Sequence, residues 1–141
     1  RGIYAKDNYS IEELACKVFK PAYISMEYVL QKSGVIFQYD SRMTAISYLS
    51  RTITVDEKEL VFRKIKNEIL FSSLGITTNN NGVSIASSAR AFLDTLYLNK
   101  TYYFDNLEGL DTNEVMKILP IFKSPRLTKQ VQNIIEYAGH Q

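Results

Sequence analysis

The sequence predicts an α+β fold: a mixed or antiparallel sheet from the middle of the chain, packed by helices from both ends. Three observations predict it. Near the start, apolar residues recur at spacings of three and four, the mark of one helix face. Over residues 35–86 that period gives way to clusters of β-branched and aromatic residues. From Ser87 onward the helical spacing returns. Helices, strands and helices therefore come in blocks, with no internal repeat and no interdomain linker. Residues 1–141 read as a single domain of ordinary size.

Arg1-Gly2-Ile3-Tyr4-Ala5 reads as a short strand. About five residues of strand are not stable alone, so a domain ahead of Arg1 is expected to pair with it. Ser10-x-x-Glu13 is a capping box that opens a helix. Ile11, Leu14, Ala15, Val18 and Phe19 make its apolar face, and Pro21 ends it. Ser25 is expected to start a second helix, with Met26, Val29 and Leu30 inward and Gly34 as its C-terminal stop. Strands are expected at residues 35–39, 45–50, 52–55 and 60–65. Asp56-Glu57-Lys58-Glu59 is the hairpin turn between the last two. Residues 68–71 read as a further strand. Thr78-Asn79-Asn80-Asn81-Gly82 is the strongest turn signal, because Asn and Gly tolerate positive φ. Residues 83–86 follow as a short strand.

Ser87 or Ser88 then caps a helix with Ala89, Phe92, Leu93, Leu96 and Tyr97 on one face. Asp111 or Thr112 opens the next, which reaches Leu119 before Pro120. Ser124-Pro125 sets a cap and a first-turn proline for the last helix. Its apolar face is Leu127, Val131, Ile134 and Ile135, and Gly139 ends it. Leu14, Val18, Leu30, Phe92, Leu96, Val131 and Ile135 are the expected core.

Composition narrows the chemistry. A single cysteine excludes an internal disulfide and a cysteine-rich zinc site. Cys16 lies in an apolar helix pattern and is expected to be a buried, inert thiol. The one histidine, His140, is next to last, which argues against a Ser/His or Cys/His catalytic pair. There is no phosphate loop, no GxGxxG and no nucleophile elbow. No catalytic residue, metal ligand or cofactor is therefore expected. No apolar run approaches the roughly 18 residues of a membrane span, so no membrane partner is expected. One arrangement supports an alternative. Asp56-Glu57-Lys58, with Asp40 upstream, fits the acid-x-Lys element of metal-dependent nucleases. Its place in a hairpin turn favours a plain charged turn instead. A generic interaction module is the other alternative.

Net charge is +2, and neither half is a polycation. Two local clusters stand out. Lys117, Lys123, Arg126 and Lys129 lie between Glu114 and Glu136 with no acid among them. Arg63, Lys64 and Lys66 form the second. Both read as a solvated face or as a weak, sequence-independent contact with a nucleic-acid backbone. Arg90 and Asp94 sit four apart on an otherwise apolar helix, so they can pair. Such a pair serves the fold or binds a partner.

Three segments together resemble a known family. They are Arg1-Gly2-Ile3-Tyr4-Ala5, then Pro21-Ala22-Tyr23-Ile24-Ser25-Met26-Glu27-Tyr28-Val29-Leu30 with Gly34, then residues 85–98 with Arg90-Ala91-Phe92-Leu93-Asp94-Thr95-Leu96-Tyr97. Their order and spacing resemble the AbiEi antitoxins of bacterial abortive-infection, type IV toxin–antitoxin systems. The resemblance spans essentially the whole chain, with the intervening strands similar only in pattern. It implies a cytoplasmic, non-enzymatic antitoxin domain that acts in phage defence. It implies a winged helix-turn-helix ahead of Arg1 that binds operator DNA, so that the whole protein represses its own transcription. It also implies that the domain counters a nucleotidyltransferase toxin, without a stable complex. Arg90 and Asp94 are the implied antitoxin-function residues, because the resemblance is strongest there.

Overall fold

The structure, a computed structural model, describes residues 10–38 and 40–139. The strand expected at residues 1–5, Tyr39 and His140 lie outside the described residues. Helix α1 (Ile11–Lys17) starts where the capping box predicts. Ser10 Oγ accepts from the Glu13 amide at 3.0 Å, and the Ser10 amide donates back to Glu13 Oε1 at 3.3 Å. The chain then enters strand β1 (Ala22–Ile24) and turns sharply into α2 (Glu27–Lys32). Met26 makes that turn with φ 66°, so the second helix begins two residues after Ser25.

A mixed sheet of six strands forms the centre, in the order β3-β4-β2-β1-β6-β5. Strand β2 (Met43–Ser47) is buried along its whole length, as a central strand should be. It runs antiparallel to β1 and parallel to β4 (Lys58–Lys64). Strand β3 (Arg51–Val55) pairs antiparallel with β4, closed by Asp56 and Glu57, both at positive φ. That is the geometry a two-residue hairpin requires. On the other side, β6 (Ser84–Ala86) lies parallel to β1 and antiparallel to β5 (Ile76–Thr78).

Three sequence expectations are corrected here. Residues 35–38 are not a strand. The Val35 and Ile36 amides both donate to Leu30 O, wrapping the end of α2, and the two side chains drop into the core. Residues 68–71 are not a strand either: residues 68–70 fall on the short helix α3 (Asn67–Leu70), whose Ile69 and Leu70 are buried, and Phe71 is its C-cap. The strand expected at residues 45–50 starts earlier, at Met43, because Met43 pairs with Leu60. Two strands without a sequence signal, β1 and β5, complete the sheet.

Helix α4 (Ser88–Asn99) is capped by Ser87, whose Oγ accepts from the Arg90 amide at 3.1 Å. Residues Ala89 to Leu96 are all buried, so this helix is covered on every side and runs through the core, with Arg90, Asp94 and Thr95 as its buried polar residues. It packs on α2, on β6, on α5 (Thr112–Ile118) and on α6 (Pro125–Gly139). A 3₁₀ turn (Leu119–Phe122) links the last two. Of the expected core, Leu30, Phe92, Leu96 and Val131 are fully buried, whereas Leu14, Val18 and Ile135 are only half-buried. Cys16 is buried as expected, and burial raises its thiol pKa.

One glycine is fixed by geometry. Gly75 has φ +75°, and a Cβ there would lie 2.7 Å from Ile118 Cδ1 and 3.0 Å from Arg90 Cβ. Gly34 has a similar φ, +78°, but opens onto empty space. Gly75→Ala is therefore expected to lose strain and overpacking together, about 3 kcal/mol or more. Gly34→Ala should lose only the backbone strain, about 1 kcal/mol. Urea denaturation of the two variants checks this, and equal losses would refute the steric role of Gly75.

Candidate functional site

The charged pair of α4 is entirely inside the protein: Arg90 and Asp94 are both 0% exposed. A bare guanidinium in an apolar core is very unfavourable, so its donors must be answered. They are answered mostly by backbone. Arg90 Nη2 donates to Ile69 O at 2.7 Å, and Nη1 donates to Ser72 O at 3.1 Å and Leu74 O at 2.5 Å. These three carbonyls belong to the stretch from α3 to β5. Nη2 also donates to the Tyr23 hydroxyl at 3.0 Å, and the guanidinium lies 4.8 Å from the centre of the Tyr23 ring.

Asp94 is answered from the other direction. Its Oδ2 accepts from the Tyr23 hydroxyl at 2.9 Å and from Ser25 Oγ at 2.7 Å. Tyr23 lies in β1, and Ser25 follows it. The direct ion pair is looser: Arg90 Nε and Asp94 Oδ1 are 3.7 Å apart and have no hydrogen-bond partner. The two charges thus attract each other, while their strong contacts go elsewhere. Burial raises the Asp94 pKa to about 6, against the pull of Arg90 and the hydroxyl donors. Burial, reinforced by the Asp94 charge, also holds the Tyr23 phenol well above its usual range.

The pair presents no surface to a partner. Its role is positioning: one guanidinium fastens the α3–β5 stretch, and one carboxylate fastens β1, both to α4. The sequence shows the pair but not its partners. Tyr23 and Ser25 lie in the Tyr-Ile-Ser segment of the resemblance, which is the one signal that could have identified them.

The basic residues fall into two groups. Arg63 and Arg126 are spent on the C-terminal end of α4. Arg126 donates to Leu96 O at 3.4 Å and Tyr97 O at 3.1 Å, and Arg63 donates to Leu98 O at 3.4 Å and Asn99 Oδ1 at 3.3 Å. Tyr97 O and Leu98 O are among the carbonyls that a helix leaves unpaired at its end, where cations are also favoured, whereas Leu96 O already accepts from the Lys100 amide at 3.0 Å. The other five, Lys64, Lys66, Lys117, Lys123 and Lys129, are exposed. Of these, Lys123 and Lys129 share a shallow cleft with Ser124, Pro125, Thr128 and Gln132 on the first turns of α6.

The acidic residues of the nuclease alternative are placed differently from what a metal site needs. Asp40 is bound to Arg42, whose Nε and Nη2 reach both carboxylate oxygens, and this holds the Asp40 carboxyl below its usual pKa. Asp56 is in the exposed hairpin turn. Among the described residues no three His, Cys, Asp or Glu side chains gather as a metal site. Nor, among the described residues, is any helix long and apolar enough to cross a membrane. No protein-family model matches the chain, and neither a curated protein nor a solved structure matches it.

The site makes a sharp prediction. Asp94→Asn keeps an acceptor for both hydroxyls and removes a charge that burial disfavours, so at pH 7 it should cost about 1 kcal/mol. Asp94→Leu leaves two hydroxyl donors without their acceptor and the buried Arg90 charge without its counter-charge, and should cost about 3–5 kcal/mol. The sign of the pH effect follows from the raised pKa. The folded chain holds the Asp94 proton more tightly than the unfolded chain, where the value is near 3.8. This contribution is complete below about pH 4 and is lost as the pH rises through about 6. The stability of the wild type relative to Asp94→Asn should therefore grow as pH falls from 7 to 4, measured by urea denaturation. A constant difference, or Asn as damaging as Leu, would contradict this.

Proposed function

We propose that this chain is the antitoxin domain of a type IV abortive-infection toxin–antitoxin system, related to the AbiEi antitoxins. In this reading it counters a nucleotidyltransferase toxin in the bacterial cytoplasm without chemistry of its own. With a winged-helix domain ahead of Arg1, it also represses its own transcription. One observation supports the reading above the others. Tyr23 and Ser25 from one motif and Arg90 and Asp94 from another, some seventy residues apart, meet in a single buried network. The two motifs that carry the resemblance thus supply one shared network. Their convergence gives a physical reason for the motif: Tyr23 bridges Arg90 and Asp94, and Ser25 supplies the second hydroxyl to Asp94.

The same reading assigns the exposed lysines a minor role. Lys123 and Lys129, with Lys117, can make a few phosphate contacts, which give salt-sensitive binding with no base discrimination. Operator recognition belongs to the winged helix.

Two outcomes test this. Expressed alongside the nucleotidyltransferase toxin of its own locus, the chain should restore growth at least in part. Reporter repression from the operon promoter should need the winged-helix domain as well. A folded, expressed chain that gives no protection even when joined to that domain would end the antitoxin reading. On DNA, the Lys123→Ala/Lys129→Ala variant should bind a random duplex more weakly, with a salt slope reduced by about 2. Arg126→Ala should lower the melting temperature and leave DNA binding nearly unchanged, because its guanidinium is spent on α4. The opposite pattern, measured by fluorescence anisotropy at two salt concentrations, would restore Arg126 as a phosphate contact.

A further inference from the structure

A cavity of about 470 Å³ opens beside α2, between α1, the loop before β2 and the start of β4. Its size lies within the range of small-molecule sites, about 300–1,000 Å³. Nothing in the proposed antitoxin function uses it. One part of its wall is apolar. Ile36 and Met43 are core residues, and Ile11 is packed against the core from α1. At its lip stands Phe37, an aromatic ring 68% exposed.

The backbone that presents this ring is tied down. The Phe37 amide donates to Asp105 Oδ2 at 2.7 Å, and its neighbour Ile36 is anchored on the end of α2. On the far side of the loop, Gln31 clamps the backbone of Asp40 with both ends of its amide. An exposed aromatic ring on a fixed backbone is preorganised to stack, because little freedom is lost on binding.

The charge of the lining has a definite sign. Its charged residues are Lys32, Asp40 and Lys58. Asp40 is neutralised by the forked grip of Arg42. Neither lysine has a carboxylate partner among the described residues, and Lys32 Nζ sits 4.7 Å from the centre of the Tyr28 ring. The cavity thus combines an apolar patch, an exposed ring and two ammonium groups that form no salt bridge among the described residues. We propose that it binds a phosphorylated aromatic ligand of the size of a nucleoside monophosphate. The base would lie on Phe37 and the apolar wall, with the phosphate between Lys32 and Lys58. This goes beyond the antitoxin reading and does not depend on it.

The test is a titration of the isotope-labelled chain with adenosine monophosphate, followed by NMR. The amides of Lys32, Phe37 and Lys58 should shift and saturate. Adenosine and inorganic phosphate, which carry half the ligand each, should bind at least about tenfold more weakly, as charge-assisted bonds and stacking both contribute. Lys32→Ala/Lys58→Ala should weaken adenosine monophosphate by about tenfold or more while its spectrum stays that of a folded protein. Phe37→Ala, a substitution at an exposed site, should weaken it with no loss of stability. Four results would overturn the proposal: no saturable shift, equal shifts with inorganic phosphate alone, tighter binding of phenyl phosphate than of the nucleotide, or unchanged affinity in the double lysine variant. The site is separable from the antitoxin role, since toxin rescue by the same variants reports on that role independently.

Discussion

The buried guanidinium of Arg90 is the constraint on which the rest of the structure depends. An arginine in a core needs acceptors in several directions at once, and its fork can only be met by groups that are already positioned. Here the carbonyls of Ile69, Ser72 and Leu74 meet it. They can do so only because α3 ends where it does and Gly75 lets the chain turn close beneath α4. The tightness around Gly75 and the burial of Arg90 are therefore one fact. The chain must pass within contact distance of the Arg90 stem to present its carbonyls. Asp94 then closes the arrangement from the other side by accepting from β1 and the residue after it. Three stretches far apart in sequence are joined through two side chains on one helix.

Helix α4 has a second demand, at its C-terminal end. Its last turn carries no basic residue of its own. The carbonyls left there would be costly if unanswered in a half-buried setting. Arg63 from β4 and Arg126 from α6 answer part of this demand from the surface, so the charges that stand out in the sequence as two basic clusters are partly struts for the end of α4. This also explains why the two clusters need not act as one nucleic-acid surface. The cluster residues not bonded to α4 are all lysines, the more flexible and more strongly hydrated cation.

Much of the fold was legible. Each helix that opens on Ser10, Ser87, Asp111 or Ser124 announced itself by a side-chain cap, because capping is a local interaction between neighbours in sequence. The hairpin was legible as a charged turn, but the expected four residues Asp56–Glu59 narrow to Asp56 and Glu57, because Lys58 and Glu59 pair with Val55 and Thr54 in the sheet. The failures were equally physical. Residues 35–38 carry the apolar residues of a strand, but their amides are claimed by the end of α2. The run Ile69-Leu70-Phe71 is too short for its period to separate helix from strand. Strand β1 is three residues long, and only its position between β2 and β6 makes it central. Of the network, the Arg90–Asp94 spacing was visible. The acceptors of Arg90 were not, because a backbone carbonyl has no identity in sequence.

Tyr23 is the hinge between the two charges, since its hydroxyl accepts from Arg90 and donates to Asp94. A double-mutant cycle of Tyr23→Phe and Arg90→Lys measures that directly by denaturant unfolding. The account predicts that the two losses are strongly coupled, with an interaction energy of about 1 kcal/mol or more, as expected for members of one hydrogen-bond network. Losses that simply add, within about 0.3–0.5 kcal/mol, would mean that the two side chains act independently and that the buried network does not organise the fold.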